Sequence, residues 1–421
     1  MKFVSVLSLL SIYLLTLENA SSQTPVYFNI ISHNEITDPL DYAHSEADYQ
    51  TIRSLVKELC DTINSKKAKY NMQVDANMIF GCLKYDDGAN NPNDLLEWAS
   101  KSEHIDVDGH NHFSPFSNPY NYSDLAYLLD SCGVTLHHHV LGGVAYANLT
   151  IAGKTFKETW TQYINPKKGY TFKDFAWQAD IVWGTATPGH QADYTSFGLW
   201  RPKGGSSPAE FGTHDPNQRL VTIGGGCKGD IGFNIIPQTK KIRNTTGQII
   251  SKIKEIVDNI QGLPKSSNDF YTMNLLINFR DIPEIPHFAD SIGRIIDGLS
   301  SYTEQGKIVW MTLGEKYDLW MELHPDREDY FNLLCEDITL TANNISITSQ
   351  LNLYPNPAHD AIHIEGDYPP NTYISIFSLE GRRIKFQILQ EEISLSDLAA
   401  GTYIFQIKTE EKTYRAKVVK L

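Results

Sequence analysis

Six of the fourteen histidines lie between His104 and His139, and the densest run is Asp106-Val107-Asp108-Gly109-His110-Asn111-His112. On an extended segment alternate side chains share one side, so Asp106, Asp108, His110 and His112 can converge on one cation. The strand-like residues 104–107 come just before, and parallel α/β folds gather ligands at the carboxyl ends of their strands. Ser32-His33-Asn34-Glu35 closes another apolar, β-rich run, 26–32. In a barrel it would face His110 and His112 across the mouth and supply a carboxylate, Glu35, able to bind metal or shuttle protons, with Asp38 in reserve. The expected centre is therefore one divalent cation, zinc among the candidates, on His33, His110 and His112, with Glu35 and Asp108 as acid/base groups. The competing reading is a solvated loop with incidental histidines.

Other groups are candidates by chemistry alone. His214-Asp215 could be a base oriented by a carboxylate, and Arg201 could neutralise an oxyanion; for each, a structural ion pair is the alternative. Trp183 and Trp200 lie in a stretch dense in aromatics (Trp160, Tyr163, Tyr170, Phe172, Phe175, Trp177, Tyr194, Phe197). Aromatic faces suit the apolar faces of sugars, but they also fill cores. His137-His138-His139 is either a structural turn or places one ring behind the site. Thr312, Glu315 and Lys316 follow an expected strand and would line the mouth, and Gly224-Gly225-Gly226 reads as a flexible turn.

Positioning these groups requires alternating elements. Apolar spacing predicts strands over 26–32, 72–80, 104–107, 271–279 and 307–313, and helices over 48–63, 93–100, 246–260 and 288–299. That rhythm implies an α/β architecture built on a parallel sheet or barrel. The stretch from about 140 to 230 loses the rhythm and is expected to form long loops over one face.

The formal charge of −14 sits almost wholly outside the last seventy residues. Such a surface repels phosphate backbones and anionic lipids, so nucleic acid and membrane surfaces are poor partners. Lys2, the apolar run 3–17 and the small residues Ala20, Ser21 and Ser22 predict a signal peptide over 1–22. No later stretch nears the length of a transmembrane helix. Five cysteines without C-x-x-C spacing imply mostly buried thiols and at most one or two bridges.

Leu353-Tyr354-Pro355-Asn356-Pro357, Ile374 to Gly381, Leu398 to Tyr403 and Tyr414 to Leu421 resemble the sorting domain of the type IX secretion system of Bacteroidetes-type bacteria. The resemblance implies an immunoglobulin-like sandwich over 350–421, a linker over 341–349, passage through the periplasm, and contact with the secretion machinery. His33-Asn34-Glu35, Gln73 to Asn77, Asp108 to His112, Tyr120 to Leu128, Gly142-Gly143 and Leu199 to Lys203 resemble secreted bacterial proteins related to the glycoside hydrolase/deacetylase superfamily. That resemblance implies a (β/α) barrel of about seven strands over 23–340, with Glu35 in place of the first-strand aspartate and His110 and His112 as the histidine pair. The chain departs from that pattern: a Thr-Phe-Asp-Asp sequence is expected where His33-Asn34-Glu35 stands, and histidines four apart where these are two apart. The expected function is a secreted, metal-dependent carbohydrate hydrolase, removing acetyl groups or cutting glycosidic bonds. The alternative is a non-catalytic surface protein binding glycan on the same barrel.

Overall fold

The computed structural model describes residues 23–34, 40–86, 94–111, 119–143, 149–151, 154–156, 165–183, 196–204, 208–226, 235–236, 241–242, 244–334, 351–365, 368, 372–378, 383–408 and 413–421. The expected signal peptide, the linker, Glu35, Asp38, His112, Trp160, Tyr163, Tyr194, Cys227 and Cys335 lie outside these residues.

Nine strands make the central sheet: β1 (Val26–His33), β2 (Tyr70–Val74), β3 (Ile105–His110), β4 (Val140–Gly142), β5 (Ile181–Val182), β6 (Leu199–Trp200), β7 (Val221–Ile223), β8 (Tyr271–Asn278) and β9 (Ile308–Trp310). Their order is β6-β7-β5-β4-β3-β2-β1-β8, with β9 beside the start of β1. Eight run parallel, and β6 alone is antiparallel. The sheet curls into a nearly closed barrel. Across the remaining gap, the Asn274 N–H donates to Gly225 O (3.1 Å) and the Thr272 hydroxyl to Gly224 O (2.6 Å), while Gly198 N–H donates to that hydroxyl (2.8 Å). The glycine run 224–226 is thus a crossing held by hydrogen bonds and not a loose turn. A Cβ on Gly224 would stand 2.3 Å from Ser196 O, so only glycine lets the segments approach.

Helices cover the barrel. Ser45 accepts the Asp48 N–H (3.3 Å) to start α1 (Glu46–Ser65), whose buried Ile52, Val56, Leu59 and Ile63 recur at helical spacing. α2 (Ala76–Tyr85), α3 (Leu95–Ser100), α4 (Tyr122–Ser131), α5 (Pro208–Gly212), α6 (Thr246–Gln261), α7 (Phe288–Glu304) and α8 (Leu313–Leu323) follow. Reciprocal Asn121/Asp124, Thr245/Gln248 and Thr312/Glu315 boxes begin α4, α6 and α8. Outward-facing Phe28, Ile30, Met72, Val107 and Leu275 pack under the helices with Ile52, Val56, Ile292 and Leu299, all buried. Each such side chain contributes about 1.5–3 kcal/mol.

Two expectations change. Residues 72–80 are the end of β2 followed by α2, because Asp75 accepts the Met78 N–H (3.1 Å) and turns an apolar run into a helix start. The stretch from 140 to 230 supplies β4 to β7 rather than only loops. Strands of two or three residues are too short to show a period.

The barrel interior divides in two. Towards β4 to β7 it is apolar, with Val140, Ile181, Trp183, Leu199, Val221 and Ile223 buried. Towards β8, β1, β2 and β3 the alternation puts Asn274, Asn29, His33, Asn71, Gln73, Asp108 and His110 inside, all buried. α8 seals the amino end: β9 pairs only with Val26 to Phe28, and His138, just before β4, bonds Asp318 at 2.9 Å.

The chain ends in two antiparallel sheets: β10 (Asn352–Tyr354), β11 (Ala361–Glu365) and β14 (Glu392–Ser394), against β12 (Tyr373–Ser378), β13 (Arg383–Ile388), β15 (Gly401–Lys408) and β16 (Thr413–Lys420). Ile362, Ile374, Ile376, Ile393, Phe405, Ile407 and Val418 fill the space between them. The buried Arg383 donates to Asn332 Oδ1 (3.2 Å), and Asn332 in turn to Gly212 O (2.8 Å), so tail and barrel touch. Cys60, Cys82 and Cys132 are buried free thiols. Burial pushes the Cys60 thiol up.

Candidate functional site

The mouth of the barrel is built by the ends of β1, β2 and β3. His33 and His110 reach over β2 from either side and stack, ring centroids 4.6 Å apart and planes 12° from parallel. Both are buried, at 6% and 2% exposure. Gln73 lies between them, its Oε1 at 3.4 Å from His110 Nδ1. A Cβ on Gly142 would stand 2.0 Å from that same oxygen, so glycine at the end of β4 is what admits the amide. The chain beyond each histidine is locked. Asn34 donates to Asp75 Oδ1 and accepts from Asp75 N–H (2.9 Å); buried Asn111 donates to Tyr120 O (2.9 Å), and its N–H to Gly142 O (3.3 Å).

Beneath the imidazoles runs a buried polar chain. Lys316 Nζ donates to Asn29 Oδ1 (2.6 Å), Asn29 Nδ2 to Asn71 Oδ1 (2.8 Å), and Asn71 Nδ2 to Asp108 Oδ2 (2.8 Å). Asn71 Oδ1 also takes the Leu313 N–H at 3.0 Å. Every donor points from the lysine to the carboxylate, the polarity that suits a cation at one end and an anion at the other. Burial pulls the Lys316 amine well below its ordinary value, and burial followed by nearby Asp106 pushes the Asp108 carboxyl well above its own. Asp106, under the same burial, is raised and is held by Thr312.

Other expected site residues lie at the opposite end. β6 runs antiparallel, so Arg201, which follows it, emerges at the amino end of the barrel. Its guanidinium donates to Gln218 O and Arg219 O (3.3 and 2.6 Å) and lies 5.6 Å from the centre of the Trp320 ring on α8. His214 Nδ1 accepts the Arg201 N–H (3.1 Å), and Nε2 donates to Arg327 O (2.8 Å). With both nitrogens engaged by backbone, the ring is a brace and not a base, and Asp215 is turned to Asn217 at 2.9 Å. Glu315 caps α8 and pairs with Lys69 (2.6 Å), while the His137-His138-His139 triplet precedes β4 at the same end. Trp183 and Trp200 are 0% exposed and are core.

Burial lowers the His214 pKa. The unfolded chain takes up a proton that the folded ring refuses, so this residue's contribution is present above the unfolded value and lost as pH falls below about 6.5. His214→Gln should flatten the decline of stability between pH 7 and 5, measured by urea denaturation at each pH. An unchanged slope would discount the brace.

Asn29, Asn71 and Gln73 were missed from sequence. Their signal was polar residues alternating with apolar ones inside strands that otherwise read as continuous core. Lys316 was expected at the mouth, and it enters from below. Among the described residues, the one group of three or more side chains with cation-binding atoms close together is Cys82, Asp86 and Asp94, away from the two histidines. Asp86 is already taken by Arg53 (2.6 Å), Tyr49 (2.7 Å) and Leu95 N–H (2.8 Å), so that group ties α1, α2 and α3 together.

A (β/α)-type barrel with paired histidines at the carboxyl ends of its strands, joined to a β-sandwich tail, defines the class of this chain. Residues 352–421 match the family described as secretion system C-terminal sorting domain. The tail marks the protein for secretion or cell-surface export by the type IX machinery. Among solved structures, a candidate glycoside hydrolase/deacetylase from Parabacteroides distasonis aligns at TM-score 0.46 and 11% identity, covering 95% of this chain and 85% of that one. A 4-alpha-glucanotransferase from Thermococcus litoralis aligns at 0.39 and 10%, covering 70% and 40%. A GH57 branching enzyme from Thermococcus kodakaraensis aligns at 0.38 and 7%, covering 70% and 71%. No curated protein matches. Among the described residues no helix is long and apolar enough to cross a membrane.

Proposed function

We propose that the barrel is an exported, metal-dependent hydrolase of carbohydrate, removing acetyl groups or cutting glycosidic bonds. The observation that carries this reading is the buried, stacked pair His33 and His110 at the carboxyl ends of β1 and β3. Two charged imidazoles face to face would repel, so the arrangement favours neutral rings, the form in which imidazole gives a lone pair to a divalent cation. In the parallel stack no single cation can lie in both ring planes, so binding would require at least one ring to turn; His33 and His110 are proposed as donors on that condition, with His112 and Glu35 as the further donors proposed from sequence. Bound there, a cation would supply an activated water and polarise the scissile carbonyl or acetal. Gln73 orients His110, and Asp108 lies at the end of the hydrogen-bonded chain from Lys316. Glu35 is proposed to move the proton.

Plasma mass spectrometry of the purified full chain, followed by an acetate-release and reducing-sugar screen on acetylated glycans, tests the reading. Stoichiometric divalent metal with turnover of at least one glycan is the expected result. Metal-free protein that stays inert after reconstitution with zinc, manganese or cobalt sinks it.

A further inference from the structure

Beside the mouth lies a groove of about 860 Å³, formed where residues 40–44, one face of α2 and Tyr120, just before α4, meet. Its apolar wall is Phe80, Leu83 and Tyr120. Leu83 is 40% exposed and presents an aliphatic surface to the groove. The Phe80 and Tyr120 rings stand 5.2 Å apart and tilted by 57°, each only partly buried. The lining also holds Asp41 and His44, themselves paired at 2.9 Å, and Lys84.

The groove is built rather than incidental. Asn77 accepts the Ala43 N–H (2.9 Å) and donates to Leu40 O (3.4 Å), latching the 40–44 segment to α2. A Cβ on Gly81 would stand 2.6 Å from Tyr42 O, so glycine there sets the close approach of the two walls. The latch shares its footing with the site: Asp75, which starts α2, is bonded to Asn34, the residue after His33. Tyr120 is likewise tied to Asn111, the residue after His110.

We infer that this groove binds a segment of a neutral polysaccharide and leads it to the mouth, an inference that rests on the carbohydrate reading above. Ring faces beside an exposed leucine match the apolar C–H faces of pyranose rings, and a carboxylate, an imidazole, an amide and an amine match hydroxyls. One acidic and one basic side chain in the lining cancel, which selects an uncharged polymer over a polyanion. A volume of 860 Å³ holds several sugar units, and the bonds from Asp75 to Asn34 and from Asn111 to Tyr120 tie its walls to the residues after His33 and His110.

Affinity electrophoresis of the full chain through gels containing soluble xylan, acetylated xylan, mannan or β-glucan tests the inference. The native protein should be retarded by at least one of them. Leu83→Asp should weaken that retardation about tenfold with unchanged melting temperature, since Leu83 is exposed, and Tyr120→Ala should weaken it as much while lowering the melting temperature through lost packing on Phe80 and Phe172. His110→Ala should be retarded as the native chain is, which separates binding in the groove from chemistry in the mouth. A native chain retarded by none of the four, or groove variants retarded as strongly as the native one, overturns the groove. Retention without turnover would sink the hydrolase reading and leave the groove standing.

Discussion

Replacing Lys316 with methionine should lower the stability of the barrel by about 3–5 kcal/mol at neutral pH, the scale of removing one partner from a buried charge pair. Lys316 is 1% exposed and reaches Asp108 only through Asn29 and Asn71, so its loss leaves a carboxylate buried without a counter-charge. Asp108→Asn in the same chain should restore at least half of the loss, because an amide needs no cation. All seven tryptophans lie between residues 98 and 320, so fluorescence during chemical denaturation reports the barrel and not the tail. A carboxyl held above its unfolded value takes up protons on folding. Its favourable contribution is full at acid pH and is lost as pH rises through the folded value. The loss caused by Lys316→Met should therefore be smaller at acid pH than at neutral or alkaline pH. Additive losses in the double variant would break the chain into unconnected contacts.

His33→Ala and His110→Ala should each lower turnover on any substrate found by a hundredfold or more and reduce bound metal in parallel. His137→Ala, an exposed ring at the far end of the barrel, should leave both within about twofold of native. Metal content and initial rates measured on the three variants side by side decide it. Equal metal in all three would remove the metal centre from the mouth. Full metal with lost turnover in His33→Ala would instead move that ring from coordination to proton transfer.

How much of this was legible in the sequence follows from strand length. β1, eight residues with an apolar outer face and His33 at its end, announced both itself and the strand end that carries the candidate histidine. β3 did the same through Asp108 and His110, since a period of two survives in six residues. β4 to β7 did not: two or three residues among glycines and aromatics carry no period, so the half of the barrel holding Trp183 and Trp200 looked like binding loops. The same blindness misplaced Arg201, His214 and Asp215. Their chemistry is apparent from composition, but the end of the barrel they occupy depends on β6 running backwards, which is a property of pairing and not of residue type. Lys316 shows the converse: a lysine after an expected strand reads as lining the mouth, and only α8 folding under the barrel brings it in from below.

The division of the barrel into long and short strands has a mechanical consequence. β1 and β8 pair along all eight residues, whereas β5, β6 and β7 are joined by two residue pairs each and the last gap is crossed by a few bonds around Thr272. Stiffness is therefore uneven around the circumference. Amide exchange should be slowest where β1 and β8 pair with each other and fastest in β6 and β7, on the other side of the Thr272 seam. Breathing along that seam changes the bore of the barrel on its soft side, while the rigid side keeps His33 and His110 at a fixed spacing.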